Sequence, residues 1–316
     1  MNISQIIKEL ADTGKPLVNT RLTELSELTP ADLPLFKSTW RQMDVNRRRQ
    51  VISRLAELVR DNVELNFAPV FKYALSDLDA DVRVGAIDGL WENEDPGLIK
   101  TFINLLMYDA SADVQTSAAT ALGKFSTLAE CEEIRSDYKA ELSQALLAAI
   151  DDAGKPVEVK RRALEAVSPL SLPAVKEAIR KAYDSRDERL VVSAIYCMGK
   201  TCDNAWLPVL YKELENADTE IRYEAAGALG EIGMEDSVSR LLEHAHDSDI
   251  EVRLAAIQAV AKIGGKEAKH GLESLARDPN QAIREAVEQG LSEIETKENM
   301  TLFEMDTPGE NDERRD

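Results

Sequence analysis

One phrase recurs along the chain at an almost fixed interval: a Val, Leu or Ile, then Arg or a residue standing in its place, then a small residue three positions later. Copies begin at Val82, Val114, Val159, Leu190, Ile221, Val252 and Ile283. Subtracting successive positions gives intervals of 32, 45, 31, 31, 31 and 31 residues. A period in this range specifies a stack of similar units rather than a closed globule, because each unit finds its missing core in its neighbours.

The copy spanning 248–264 shows how a unit folds. Val252, Ala255, Ala256, Ala259, Val260 and Ile263 recur at steps of three and four, an apolar stripe along one helix, while Glu251, Arg253, Gln258 and Lys262 fall largely outside it. Asp249 is placed to cap the helix start and Gly264 to release its end through a left-handed turn. The preceding helix keeps the same register: Ile179, Leu210, Leu241 and Leu272 stand 31 apart. Each unit is therefore a pair of antiparallel helices, and the expected fold class is all-α, an α-solenoid of about eight pairs. About seven large apolar side chains per unit, at roughly 2 kcal/mol each, cannot offset the ordering of about thirty residues at roughly 1–2 kcal/mol apiece, so no unit folds alone. The small residues four after each phrase start, Ala86, Ala118, Ala163, Ala194, Ala225, Ala256 and Val287, are expected to be buried where adjacent helices approach.

Three segments follow. Residues 1–44 keep helical patterning without the phrase and are expected to form an N-terminal helical cap. Residues 45–295 carry the repeats. Residues 296–316, rich in Asp and Glu and containing Pro308-Gly309, are expected to be an acidic disordered tail. The long interval holds 45 minus 31, or 14, extra residues near 126–139, expected as a longer helix or a protruding loop.

A net charge of −20 repels phosphate backbones, so no nucleic acid is expected as a partner. The beginning of the chain lacks a basic start followed by an apolar core, and the longest apolar run, Ala145 to Ile150, is far too short to cross a bilayer. No membrane association is expected. Cys131, Cys197 and Cys202 fit neither a paired framework nor a metal knuckle; they are expected as buried small apolar residues in a reducing compartment, and the expected location is cytoplasmic.

An acid or amide stands six before the phrase Arg in several copies: Asp77 before Arg83, Asn216 before Arg222, Asp247 before Arg253 and Asp278 before Arg284. This spacing, followed by Ala and Leu-Gly, resembles HEAT repeats, and the 31-residue period resembles the short HEAT-like repeats of phycobilin lyases. The resemblance covers about Val45 to Leu291, with Arg48, Val51, Ile52 and Leu55 starting the first repeat. It implies that the acids and arginines form a structural ladder along the stack. Gln115 and Val191 cannot supply a guanidinium, which implies looser or differently packed joints there.

Catalytic motifs are missing. One HEAT-like enzyme family, deoxyhypusine hydroxylase, holds two irons with His-Glu pairs; no His-Glu dipeptide exists here, so that activity is not expected. His244 and His246 diverge by about 200° on a helix and read as a solvated helix end, and His270 stands alone. Gly14-Lys15 and Gly154-Lys155 lack the rest of a phosphate loop and read as turns. No metal, cofactor or small-molecule substrate is expected.

If the phrase helices line the concave face, as the resemblance implies, the positions one before, two after and six after each phrase start are exposed. These include Asp88, Arg161, Glu165, Val192, Tyr196, Tyr223 and Gln258, with Trp91 nine after its start. Trp91, Tyr196 and Tyr223 are candidate anchors, since aromatics carry a large share of interface energy. Arg47-Arg48-Arg49 and Lys160-Arg161-Arg162 read as solvated basic faces, each with one ladder position. The expectation is a non-enzymatic scaffold that binds another protein, or a basic, amphipathic segment of one, on its concave face. The alternative is a phycobilin-lyase-like protein that attaches a chromophore or cofactor.

Overall fold

The computed structural model describes residues 3–306. Among them lie eighteen α-helices, three short 3-10 turns and no strand. The chain divides into two compact units, Met1–Leu170 and Ser171–Asp316, each built from helix pairs. The fold is an all-α solenoid fold.

In the first unit α1 (Ile3–Leu10) and α2 (Asn19–Leu22) precede α3 (Leu33–Gln42) and α4 (Val45–Asp61). Three pairs follow: α5 (Ala68–Ala74) with α6 (Ala80–Asp88), α7 (Gly97–Tyr108) with α8 (Ala112–Glu130), and α9 (Ser136–Asp151) with α10 (Val157–Val167). The second unit holds four pairs: α11 (Pro173–Tyr183) with α12 (Glu188–Lys200), α13 (Leu207–Glu213) with α14 (Thr219–Ile232), α15 (Val238–His244) with α16 (Ile250–Ile263), and α17 (Gly265–Leu275) with α18 (Gln281–Asp306). The long interval lengthens α8 and α9, which meet at a bend where Glu132 takes φ 61° and Lys139 pairs with Glu130 at 2.7 Å. Helix α18 runs through residues 296–306 of the expected tail; residues 307–316 lie outside those described.

Local chemistry sets the helix starts. Asp44, Asp79, Asp187, Asp218 and Asp249 each accept a hydrogen bond from a backbone N–H in the first turn of the helix that follows. Gly264 ends α16 at φ 75° and ψ −160°, a mirror-extended conformation rather than the expected left-handed turn, whereas Gly233 at φ 75° and ψ 23° closes α14 in the left-handed region. The small residues from Ala86 to Val287 are all buried, as are Ile179, Leu210, Leu241 and Leu272.

Within each unit the ladder links one repeat to the next. Arg83 donates from Nη1 to the carbonyl of Asp77, six residues back in its own repeat, and grips the Asp109 carboxylate of the following repeat with Nε and Nη2 at 2.8 and 2.7 Å. Arg222 does the same with the Asn216 carbonyl at 2.9 Å and the Asp247 carboxylate at 2.8 and 2.9 Å. Arg253 reaches Asp278 at 2.6 Å, and Arg48 reaches Asp77 at 2.9 Å. The six-residue spacing thus positions the guanidinium, and the acid it pairs with belongs to the next copy. Arg284 donates only to the carbonyls of Asp278 and Pro279 among the described residues.

The two exceptions are packed differently rather than loosely. Gln115 still donates to the Asp109 carbonyl at 2.5 Å, and the missing cation is supplied by buried Lys155, whose Nζ donates to the carbonyls of Leu106 and Met107 and to Gln115 Oε1 at 2.8, 2.9 and 3.0 Å. Val191 faces no stranded acid, because the ladder position of the following repeat is the neutral Asn216. Buried Glu213 gathers that joint instead, accepting from Tyr183 Oη and Asn216 Nδ2 at 2.6 Å each and from Lys212 Nζ at 2.8 Å.

Candidate functional site

The exposed aromatics sit where pairs of phrase helices leave a furrow. In the second unit Tyr196 on α12, Tyr223 on α14 and Gln258 on α16 line one groove of about 290 Å³. Its floor is shallow because the helix backbones nearly touch: a Cβ added at Gly199 would stand 2.6 Å from Ala228 Cα, and one at Gly230 would stand 2.8 Å from Ala259 Cα. Tyr196 and Tyr223 remain 39% and 41% exposed. Glu231 accepts from Lys200 and Lys262 at 2.9 and 2.5 Å along the groove edge. Burial acts to raise the Glu231 pKa, but the two lysines outweigh it and hold the carboxyl below its ordinary value.

In the first unit Asp88, Trp91, Glu92, Glu94, Thr120 and Lys124 line a wider groove of about 870 Å³ between the end of α6 and α8. Trp91 is 53% exposed. Lys124 Nζ donates to the carbonyls of Trp91 and Asn93 at 2.6 Å each, fixing the turn that carries the indole. Burial pushes the Lys124 pKa down against Glu94 and Glu92, and burial pushes the Asp88 pKa up against Arg60. Opposite shifts on an acid and a base in one groove mark it as a candidate site.

The remaining candidates behave otherwise. Arg161 and Arg162 both pair with Glu158, and Arg162 also pairs with Glu165 at 2.8 Å, so these charges are spent along the face of α10. Val192 is buried, not exposed. Arg47, expected on a solvated basic face, is buried as well. His244 is buried, with Nδ1 3.0 Å from the Arg240 carbonyl, rather than solvated; of the cysteines only Cys197 is buried, while Cys131 and Cys202 are exposed. Sequence reasoning passed over Lys200, Glu231 and Lys262, although they stand 31 apart with alternating charge, and over Asp109, whose following copy has Gln in place of Arg.

Comparison with known proteins finds similarity over part of the chain. Residues 207–292 match the model for HEAT repeats. That segment resembles HEAT repeats. Deoxyhypusine hydroxylase from Drosophila melanogaster is 32% identical over 103 residues, which cover 32% of this chain and 34% of that protein. The enzyme of the same name from Aspergillus fumigatus is 41% identical over 73 residues, 22% of each chain. The matches thus span about a third or less of the length of these curated relatives. The solved complex of CpcE and CpcF of phycocyanin lyase from Nostoc superposes with a TM-score of 0.51 at 17% identity, covering 90% of this chain and 97% of that one, and shares the fold.

These relatives correct the expectation of a non-enzymatic scaffold: the HEAT-repeat proteins it resembles in sequence are named as enzymes. The lyase alternative rests on shared fold alone. The two-iron centre tests poorly on the donors present. Nδ1 of His244 faces a backbone carbonyl, His270 is solvent-exposed, and among the described residues no group of three His, Cys, Asp or Glu side chains is placed to hold a metal ion. The residues do not fit that centre. Among the same residues no helix is long and apolar enough to cross a membrane.

Proposed function

We propose that this protein works in the enzymatic modification of another protein, with its repeats holding the substrate. The observation that carries this reading is the 32% and 41% identity to enzymes named for acting on deoxyhypusine, an amino acid of a protein chain. The two grooves support it. Each offers an exposed aromatic beside a carboxylate, Trp91 with Asp88, Glu92 and Glu94 in one and Tyr196 and Tyr223 with Glu224 in the other. With a net charge of −20, such furrows favour a basic, amphipathic segment, its apolar side chains on the rings and its cations against the acids. No hydroxylation step is assigned, because the donor set does not fit two irons.

The test pairs capture with chemistry. A photo-crosslinking amino acid at Tyr223 or Trp91 should trap a discrete protein, and that protein should differ in covalent mass between cells with and without this chain. Trapping of a protein whose mass never changes would reject the enzymatic reading. Absence of any trapped protein at both positions would reject the grooves.

A further inference from the structure

Three consecutive arginines open α4, and their side chains leave the helix about 100° apart. Arg48 joins the ladder, and Arg49 pairs with Asp79 and Asp81 at 2.6 and 3.1 Å. Arg47 turns toward the N-terminal helices and is only 5% exposed. Its Nε donates to the Leu10 carbonyl at 2.7 Å and its Nη2 to the Lys15 carbonyl at 2.9 Å. Both acceptors are neutral, and no carboxylate pairs with Arg47 among the described residues. A buried cation without a counter-charge is unusual, since desolvation of the ion is compensated only by pairing.

Arg47 also borders two spaces. One is a pouch of about 210 Å³ walled by Ile6, Leu10, Leu17, Val18 and Leu22. The other is a cleft of about 640 Å³ in which Lys15, Arg49 and Arg54 gather, a basic spot on an acidic protein. The acid within the pouch, Glu9, is already matched by Arg21 and by Lys15. Arg49 and Arg54 are matched by Asp79 and Glu57. The charge left over is that of Arg47, at the junction of an apolar pouch and a basic cleft.

We infer that the N-terminal helices form a binding site for a small amphipathic carboxylate, its head on the Arg47 guanidinium and its aliphatic tail in the pouch. The planar fork of Arg suits a carboxylate, the apolar wall suits a short hydrocarbon chain, and a fully polar anion such as phosphate has no use for that wall. This site is separate from the grooves proposed to hold a protein substrate.

Isothermal titration of the full chain with hexanoate tests it, with n-hexylamine and inorganic phosphate as comparators. Hexanoate should bind at one site per chain and hexylamine should not. Arg47→Gln should weaken hexanoate at least tenfold. Val18→Trp, which blocks the pouch at an exposed position and leaves Arg47 bonded, should do the same while keeping the wild-type circular dichroism spectrum. The inference is overturned if hexanoate fails to bind, if Val18→Trp binds it unchanged, if hexylamine binds equally, or if phosphate binds as tightly as hexanoate.

Discussion

The joint between α14 and α16 offers a decisive measurement, because the chain contains its own control. Arg222 clasps Asp247 through two nitrogens at 2.8 and 2.9 Å, with both side chains nearly buried. Arg222→Val strands the carboxylate, and breaking a buried pair from one side costs about 3–5 kcal/mol. Asp247 keeps its bond from the Asp249 N–H at 2.8 Å, which places the loss near the lower end, about 3 kcal/mol. The second change, Asp247→Asn, removes the stranded charge and keeps the cap, as Asn216 does by accepting from Asp218 N at 2.9 Å. Arg222→Val with Asp247→Asn places the Val191 and Asn216 pair of residues at this joint, without the Glu213 that accompanies them there, so the double variant should lose only about 1–2 kcal/mol, less than the single arginine variant. Native-state hydrogen exchange of the α14 and α16 amides reads this joint directly, where a global melt of a repeat array would not. The pair is also sensitive to acid. Hydrogen bonds from Arg222 hold the Asp247 pKa below its ordinary 3.8, so the contribution is complete above that value and disappears as pH falls through the lower, folded-state value. If the double variant is as weak as the two single losses summed, or if the coupling survives in strong acid, the ladder is not electrostatic in origin.

Other consequences are quickly checked. Lys155→Met should cost about 2 kcal/mol in urea denaturation, since it leaves one buried and one part-buried carbonyl without their donor. Because burial holds the Lys155 pKa below its ordinary 10.5, wild-type stability should rise relative to that variant as pH climbs through the folded value toward 10.5. Gly230→Ala should lower stability by about 1–3 kcal/mol by forcing α14 off the Ala259 backbone, while Gly227→Ala, with nothing near its added Cβ, should raise it by about 0.5–1 kcal/mol, both read as shifts in melting temperature. Burial raises the Asp88 pKa, so the ionised carboxyl opposes folding above its ordinary 3.8; Asp88→Asn should therefore raise the neutral-pH melting temperature slightly while weakening capture of a basic segment.

The period, the helix pairs and the buried small residues were legible because they repeat, and repetition reveals itself within one chain. The direction of the ladder was less so. Spacing shows that Asp247 precedes Arg253 by six, but only the fold shows that Asp247 belongs to Arg222. Lys155 was legible only as part of a turn, since its partners Leu106 and Met107 lie 49 and 48 residues away. The candidate site was partly legible: helical phase placed Tyr196, Tyr223 and Gln258 on one surface, and the fold puts them in one groove. The same phase could not tell that Arg161 and Glu165 neutralise themselves with neighbours on α10, or that Val192 is covered. Catalytic motifs gave no hint of the similarity to proteins named as enzymes, which comes without the histidines that the two-iron centre would need.

Arg284 shows one more property of this architecture. Arg48, Arg83, Arg222 and Arg253 reach forward to the acid of the next copy, while among the described residues Arg284 donates to carbonyls of its own repeat. The array therefore has a polarity, like a zipper with unlike ends. A pair grafted after α18 could use the waiting guanidinium by bringing an acid about twenty-five residues further along, the separation of Arg222 from Asp247. A pair grafted before α4 would have to bring the arginine itself and would meet Gln42, not an acid, six residues before Arg48. Lengthening such a protein is thus a different chemical problem at each end, and tandem duplication conserves the rungs only when it copies the joint rather than the pair.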